Sequence, residues 1–263
     1  MTSPPRKAAL WILWLALGVA AAASLLRMGF FDLPRVARGL ANFGIFAGDL
    51  FPPETGNLGT VAGAMVETLQ IAYVGTLLGF VMALPLALLA TPTVFRRWVT
   101  VPLRFLLVVV RTIPALLWAL FFVVAFGLGP MAGTLGIAFY TLGYLGKLYY
   151  EAFEGVDNEV LEAVRSVGCT RAQLLRYAVL PESANSVLSQ LLFIFEYNVR
   201  ASTILGFVGA GGIGFYMVGY VQLLQYRSLM TALLVTLVVV LLIEQASARL
   251  RKFFLPPPPQ TLA

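Results

Sequence analysis

Two arginines stand inside long apolar runs of the sequence, and their side chains are suited to binding an anion. Arg111 lies about twelve residues into one run, some ~18 Å along a helix that rises ~1.5 Å per residue, and Arg200 lies a similar distance into another. A guanidinium at mid-membrane costs roughly 2.5–3.5 kcal/mol, so neither side chain is expected to face lipid. Planar guanidinium donors bind oxyanions through charge-assisted hydrogen bonds.

Two interpretations of these arginines stay open on the sequence alone. Glu196 precedes Arg200 by four residues on the same helical face, in the favourable order for an ion pair that would hold the packing of the span. Alternatively, Arg111, Asn198 and Arg200, with Glu196 beside them, line a path and stabilise a passing anion.

A glycine-rich segment follows the second of these runs. Gly209, Gly211, Gly212 and Gly214 fall in a stretch that matches the dinucleotide-binding pattern GxGxxG, but no acidic residue follows about twenty positions later and no strand precedes it. The glycines instead predict a tight re-entrant turn, packed in protein, at the external end of a membrane span. Gly146-Lys147 lacks the rest of a phosphate-binding loop, so we expect no ATP hydrolysis by this chain alone.

A cationic, amphipathic hairpin is predicted in LEAVRSVGCTRAQLLRYAVLP, residues 161–181. Gly168 should end its first helix in the left-handed conformation. Thr170 is predicted to cap the second helix, and Gln173 completes a capping box. Leu174 belongs to the apolar stripe of that helix, with Leu175 and Ala178. Pro181 should prevent the helix from continuing and start the return to the membrane.

The surrounding chain is built for lipid. The 263 residues have a mean hydropathy of +0.88 and only 11% charged residues, far from the usage of soluble domains. The fold class is therefore all-α, with about six transmembrane helices. Pro85 and Pro114 are the predicted kink points. The six apolar stretches cover residues 8–26, 60–90, 99–126, 131–150, 187–206 and 229–248.

Basic residues predict the orientation of these spans. With the N-terminus in the cytoplasm, twelve of the 18 lysines and arginines fall inside, four fall outside, and Arg111 and Arg200 lie within spans. Both termini and the hairpin are then cytoplasmic, and residues 27–59 form an external loop. A cleaved signal peptide is the alternative for the first stretch, but its apolar run exceeds the 7–15 residues typical of a signal core. The run of prolines at 256–259 predicts an extended tail.

Composition excludes several classes of protein. The sequence has no histidine, which removes Ser/His hydrolases and His-ligated zinc enzymes, and its single cysteine, Cys169, removes an internal disulfide. No metal site and no nucleic-acid partner are expected. An intramembrane aspartyl hydrolase is disfavoured because Asp32, Asp49 and Asp157 all lie outside the spans.

The hairpin resembles the EAA signature of ATP-binding-cassette (ABC) importer permeases. Glu162, Ala163, Gly168 and Pro181 keep the spacing of the family pattern, whereas Val164 and Ala178 depart from it. RTIPALLWAL, GYLGKLYYEAFE and NVRASTILGFVGAGGIG, which begin at residues 111, 143 and 198, resemble the phosphonate/phosphite branch of that family. The resemblance covers residues 60–252, about three quarters of the chain.

The resemblance implies a type I importer permease whose hairpin docks on a separate ATPase. Its coupling residues are then Glu162, Ala163, Gly168, Thr170, Leu174 and Pro181. It also implies a homodimer in a bacterial inner membrane, two cytosolic ATPase subunits that use ATP and Mg, and an external solute-binding protein. No cofactor is expected on this chain. The expected regions are an N-terminal span with its loop (1–59), a permease core (60–252) with the hairpin at 155–181, and a tail (253–263).

Alternatives remain at the level of function. The same machine could carry another solute, such as an amino acid or a metal complex, instead of phosphonate, phosphite or phosphate. A passive channel or membrane scaffold is a different class, in which the hairpin would touch lipid headgroups instead of protein.

Overall fold

The computed structural model describes residues 4–254, with side chains from residue 10 to residue 253, and within that range every regular element is helical. The α-helices are α1 (Pro4–Arg27), α2 (Leu33–Asp49), α3 (Leu58–Leu89), α4 (Arg97–Thr112), α5 (Ala115–Phe126), α6 (Pro130–Glu154), α7 (Asn158–Ser166), α8 (Arg171–Leu174), α9 (Leu180–Leu205), α10 (Ile213–Gln222) and α11 (Tyr226–Phe254). The all-α fold class predicted from the sequence is confirmed.

The chain divides into two compact units, Met1–Pro52 and Pro53–Ala263. The first contains α1 and α2. Helix α2 occupies much of the segment that was expected to be an external loop, so this segment is largely helical, and its external position stays a prediction. It forms because Asp32 caps its first turn, accepting a hydrogen bond from the backbone N–H of Arg35, and a proline lies in that turn. The predicted proline tail lies outside the described residues.

Four of the described helical stretches are long and apolar enough to cross a membrane, and α4 with α5 would make a fifth as one broken span. The predicted fourth span, α6, is 25 residues long. It carries Lys147, Glu151 and Glu154, and it packs against α3, α4, α5 and α9. Because protein covers so much of its surface, α6 needs less apolar character than a helix that faces lipid. Length and composition therefore give at most five spans among the described residues, and the count of six requires that α6, which is covered by its neighbours, also crosses the membrane.

The predicted third span is two helices, not one kinked helix. The axes of α4 and α5 differ by 86°. Pro114 has no N–H to continue the ladder and restricts the preceding residue, and Ile113 accordingly adopts an extended conformation with ψ 118°. The other predicted kink point, Pro85, lies inside α3, which is continuous from Leu58 to Leu89.

Helix α6 is the centre of the second unit because its glycines let neighbouring helices approach closely. A Cβ built at Gly136 would lie 2.8 Å from the backbone of Ala119 in α5. A Cβ at Gly143 would lie 2.6 Å from the backbone nitrogen of Arg111 in α4. In return, α3 presents Gly75 and Gly79 to α6, in the small-xxx-small spacing that brings membrane helices together.

Close contacts also give the directions of the helices. Gly75 of α3 lies beside Ile137 of α6, and Gly79 lies beside Thr141, so α3 and α6 run in parallel. Helix α9 runs opposite to both, since Ser202 donates to the carbonyl of Thr68, early in α3. Helices α7 and α8 lie at one end of this bundle, and the glycine segment that follows α9 lies toward the other.

Replacing Gly79 with alanine should lower the midpoint of thermal unfolding in detergent. The new methyl group would lie 2.5 Å from Thr141 Cβ and 2.7 Å from the carbonyl oxygen of Ala138. Overpacking of this kind costs roughly 1–3 kcal/mol. Gly63→Ala in the same helix is the matched control, because nothing lies within 4 Å of its Cβ position. That control should raise the midpoint slightly, since alanine favours helix over glycine. Equal midpoints for the two variants would contradict the packing described here.

Candidate functional site

The hairpin between α6 and α9 has the local structure that its sequence predicts. Asp157 caps α7 by accepting from the N–H of Glu159 at 3.0 Å. Gly168 adopts φ +77° in the turn after α7. The Thr170 hydroxyl accepts from the N–H of Gln173, whose side chain accepts from the N–H of Thr170 at 2.8 Å. The predicted helix stop and capping box are confirmed.

Pro181 does not end the second arm, so this prediction was wrong. Helix α8 continues through a π-helical turn, Leu175–Val179, directly into α9, and the helical run reaches Val208. Pro181 lies in the first turn of α9, where a missing N–H is tolerated. The π turn, which changes the hydrogen-bond register just before the proline, makes this placement possible.

One side of the hairpin is anchored in the core. Leu161 of α7 and Leu174 of α8 are each 3% exposed, and both belong to an apolar cluster that includes Tyr149 and Phe153 of α6. Ala83, Ala87 and Ala90, near the end of α3, complete the same cluster. The hairpin is therefore held firmly to the ends of α3 and α6.

The other side of the hairpin is exposed on the surface of the described chain. Glu162, Ala163, Gly168 and Thr170 are exposed there, whereas Leu174 faces the core. Val167, which the sequence analysis did not single out, is 81% exposed at the tip. The sequence feature that could have identified Val167 is its position, as an apolar residue immediately before the glycine that ends a helix. A rigid knob with a polar rim and an apolar tip is suited to a protein groove.

Arg111 and Arg200 are both exposed on the surface of the single chain. The Arg111 guanidinium lies 5.4 Å from the ring centroid of Tyr144. Among the described side chains, neither arginine has a carboxylate at ion-pair distance. The three ion pairs found there use Arg104, Lys147 and Arg251.

Glu196 pairs with Arg251 of α11, with Nη2 2.9 Å from Oε1, so the suggested pairing with Arg200 was wrong. Glu196 is only 8% exposed and points into the interior, whereas Arg200 one turn later points outward. Asn198 is fully buried, and its Nδ2 donates to the hydroxyls of Thr76 and Thr141, both at 2.8 Å. In this arrangement Asn198 joins α9 to α3 and α6 and is not exposed on the surface of the single chain.

A row of tyrosines that the sequence analysis missed continues from Arg111. The rings of Tyr144 and Tyr140 are stacked with centroids 5.9 Å apart, and those of Tyr140 and Tyr197 are stacked at 5.6 Å. Tyr197 is on α9, three residues before Arg200. The aromatic row therefore connects the helix of one arginine with the helix of the other. The i, i+4 spacing of Tyr140 and Tyr144 was the available signal.

The glycine segment forms the predicted tight turn. Gly209, Gly211 and Gly212 have φ of +81°, +81° and +75°, a region that favours glycine, and Gly214 packs against Thr203 and Gly206. The turn is packed in protein by two residues of α3 that the sequence analysis did not single out. Glu67 accepts from the N–H of Gly212, and Thr68 accepts from that of Ile213 at 2.7 Å, which together cap α10.

Comparison with known proteins agrees with this architecture. Residues 75–254 match the family model described as binding-protein-dependent transport system inner membrane component. The phosphite transport system permease protein PtxC of Stutzerimonas stutzeri is 35% identical over 80% of this chain and 77% of that protein. The phosphate-import permease protein PhnE of Mycolicibacterium smegmatis is 39% identical over 70% of this chain and 35% of that one.

Solved structures give the same fold. The MetNI methionine ABC transporter in an inward-facing form aligns with a TM-score of 0.68 and 23% identity, covering 76% of this chain and 98% of that one. A bacterial transporter for the acidic polysaccharide alginate aligns with a TM-score of 0.64 and 15% identity over 94% of this chain and 100% of that one.

Fold and hairpin together define a multi-pass membrane subunit of a transport system. The chain belongs to the family of inner membrane components of binding-protein-dependent transport systems. It is a permease subunit of the ABC importer type, and the resemblance seen in its sequence is confirmed.

The two sides of the hairpin should respond differently to truncation. Leu174→Ala removes a buried anchor and should loosen the hairpin by roughly 2–5 kcal/mol, seen as faster amide hydrogen exchange in α7 and α8. Val167→Ala removes an exposed side chain and should change exchange by an amount equivalent to less than about 0.5 kcal/mol. Similar exchange in both variants would mean that the hairpin is not anchored through Leu174.

Proposed function

We propose that this permease imports a small oxyanion: a phosphonate, phosphite or phosphate. The observation that carries the proposal is the pair of exposed arginines, Arg111 and Arg200, without a carboxylate partner among the described residues. A cation at the mid-membrane position that the sequence predicts for these arginines needs a counter-charge, and an anion in transit would supply it. The names of the relatives PtxC and PhnE, phosphite and phosphate permeases, support the same substrate class.

The arrangement around Glu196 favours an anion. Because Arg251 neutralises Glu196, that carboxylate neither occupies Arg200 nor repels a negative solute. Charge-assisted hydrogen bonds from Arg111 and Arg200 would replace part of the hydration shell of the oxyanion. Asn198 contributes indirectly, by holding α9 against α3 and α6.

The proposed assembly contains two copies of this chain around one pathway, two cytosolic ATPase subunits and an external solute-binding protein. ATP and Mg are used by the ATPase subunits, and this chain hydrolyses no ATP. Glu162, Ala163, Gly168 and Thr170 present the docking surface, and Leu174 and Pro181 shape the arm behind it. The assembly lies in a bacterial inner membrane with both termini and the hairpin in the cytoplasm, the side that the basic residues favour.

A second candidate is the same importer with another solute, such as an amino acid. The fold shared with the MetNI methionine transporter keeps this candidate in view. Uptake of labelled phosphite, phosphonate and phosphate, measured against labelled methionine in the same vesicles, separates the two. Transport of methionine alone would reject the oxyanion proposal.

Arg200→Gln should lower oxyanion uptake by at least about tenfold, and Arg111→Gln should do the same. Loss of a hydrogen bond to a charged group costs ~1.5–3 kcal/mol, which corresponds to that range. Uptake in proteoliposomes with the ATPase and binding protein is the measurement, and co-purification with the ATPase should be unchanged. Arg97→Gln, at the exposed start of α4, is the control and should transport normally. If uptake survives in both variants, the arginines are scaffolding.

Val167→Asp should weaken association with the ATPase by more than about tenfold, because an unpaired carboxylate would have to be buried in the interface. Asn158→Asp adds the same charge at the opposite end of α7, away from the tip, and should leave the complex intact. Detergent-solubilised complexes are compared by the ratio of ATPase to permease. Unchanged ratios, with crosslinks from the tip reaching only phospholipid, would instead indicate a membrane-surface role for the hairpin.

A further inference from the structure

Arg104 joins three helices at the base of the hairpin. Its Nε donates to the carbonyl oxygen of Ala90, at the end of α3, at 2.9 Å. Its Nη2 lies 2.6 Å from Oε1 of Glu154, the last residue of α6. The guanidinium also stacks over the ring of Tyr150, 4.4 Å from its centroid. Arg104 belongs to α4, so α4 is tied to the ends of both α3 and α6.

The ion pair of Arg104 lies next to the first arm of the hairpin. Glu154 is separated from the N-cap of α7, Asp157, only by Gly155 and Val156. Val156 is 6% exposed and packs in the same apolar cluster as Leu161 of α7. A displacement of α7 would therefore shift Glu154, which is paired with Arg104.

Helix α4 connects the ion pair of Arg104 and Glu154 with Arg111, one of the two proposed pathway arginines. Arg111 follows Arg104 by seven residues, which is two turns and ~10 Å along the same helical face. The two arginines stack on two rings of α6, Tyr150 and Tyr144. The backbone of α4 at Arg111 packs against Gly143, with no room for an added Cβ. The break at Ile113 then separates α4 from α5.

The second arm of the hairpin reaches the other arginine by a different route. Helix α8 continues through the π turn into α9, which carries Arg200, in one unbroken helical run. The second arm of the hairpin is thus linked to Arg200 through the backbone. The first arm is linked to Arg111 through side chains, and we call the ion pair of Arg104 and Glu154 the Arg104 joint.

We propose that α4 carries hairpin displacement to Arg111, and that Arg104 is the positioning residue of this route. The inference rests on the proposed function, in which Arg111 binds the transported oxyanion. Nucleotide-driven movement of the hairpin then shifts both pathway arginines together, one through α9 and one through α4. Without the Arg104 joint, the packing of α4 on α6 at Gly143 is the remaining link between α4 and the hairpin, and ATP hydrolysis continues with poor transport.

The first test measures distances within the intact complex by double electron–electron resonance. Cys169, the single cysteine of the chain, is labelled in the hairpin together with Val108→Cys on α4, or with Ile204→Cys on α9 as the matched pair. In the native background, both distances should stay unchanged between the nucleotide-free and ATP-bound complexes. In Arg104→Gln, the α4 distance should broaden or shift while the α9 distance stays the same.

Three results of this measurement would overturn the inference. The α4 distance could be unaffected by Arg104→Gln, it could change on ATP binding in the native background, or both distances could change together in the variant. The last result would mean that Arg104 supports the fold as a whole. Glu154→Gln should reproduce the Arg104→Gln behaviour, and Arg97→Gln should not, since Arg97 is exposed on the same helix.

The second test is the amount of solute transported per ATP hydrolysed in proteoliposomes. Arg104→Gln should lower this ratio at least about fivefold, the lower end of measured coupling between sites, while hydrolysis changes less than twofold. A parallel loss of both activities, or no loss, would contradict a coupling role. If the native protein transports none of the oxyanions, the proposed substrate is wrong, whereas the distance measurement still decides the α4 route.

Discussion

Close approach of helices to α6 is the constraint on which the rest of this structure depends. Between helices in lipid there is little hydrophobic driving force, so association relies on van der Waals packing and on interhelical hydrogen bonds. Glycines on α6 and α3 allow that packing, and Asn198 adds hydrogen bonds to Thr76 and Thr141 where α3, α6 and α9 meet. Because the packing is tight, it can transmit the displacement of one helix to its neighbours.

The hairpin uses this rigidity. Its buried side, through Leu161 and Leu174, is continuous with the apolar cluster of α3 and α6, whereas Val167 and its polar neighbours remain exposed. A knob that moved freely could bind a partner but could not transmit force. Alternation between two transport states requires an element whose displacement is shared by the helices that line the path.

Some arginines have a carboxylate partner that ties them to another helix, whereas others have none among the described side chains. Arg104 and Arg251 each pair with a carboxylate on another helix. Arg111 and Arg200 also lie in or near apolar stretches of the sequence, yet both are exposed on the surface of the chain. The Arg111 guanidinium lies over the ring of Tyr144. Among the described side chains, Glu196 therefore serves to connect α9 with α11, and neither Arg111 nor Arg200 has a carboxylate partner.

The sequence by itself determined the membrane class, the hairpin with its helix stop at Gly168 and capping box at Thr170, and the tight glycine turn. Those features follow from composition and from backbone preferences that act within a few residues. Only the tertiary structure decided that Glu196 pairs with Arg251, that Asn198 is buried, and that Glu67 caps α10. It also decided that Pro181 lies inside a continuous helical run and that the chain turns by 86° between α4 and α5. The physical reason is that partners far apart in the chain are chosen by helix packing, which helical periodicity in a single sequence does not encode.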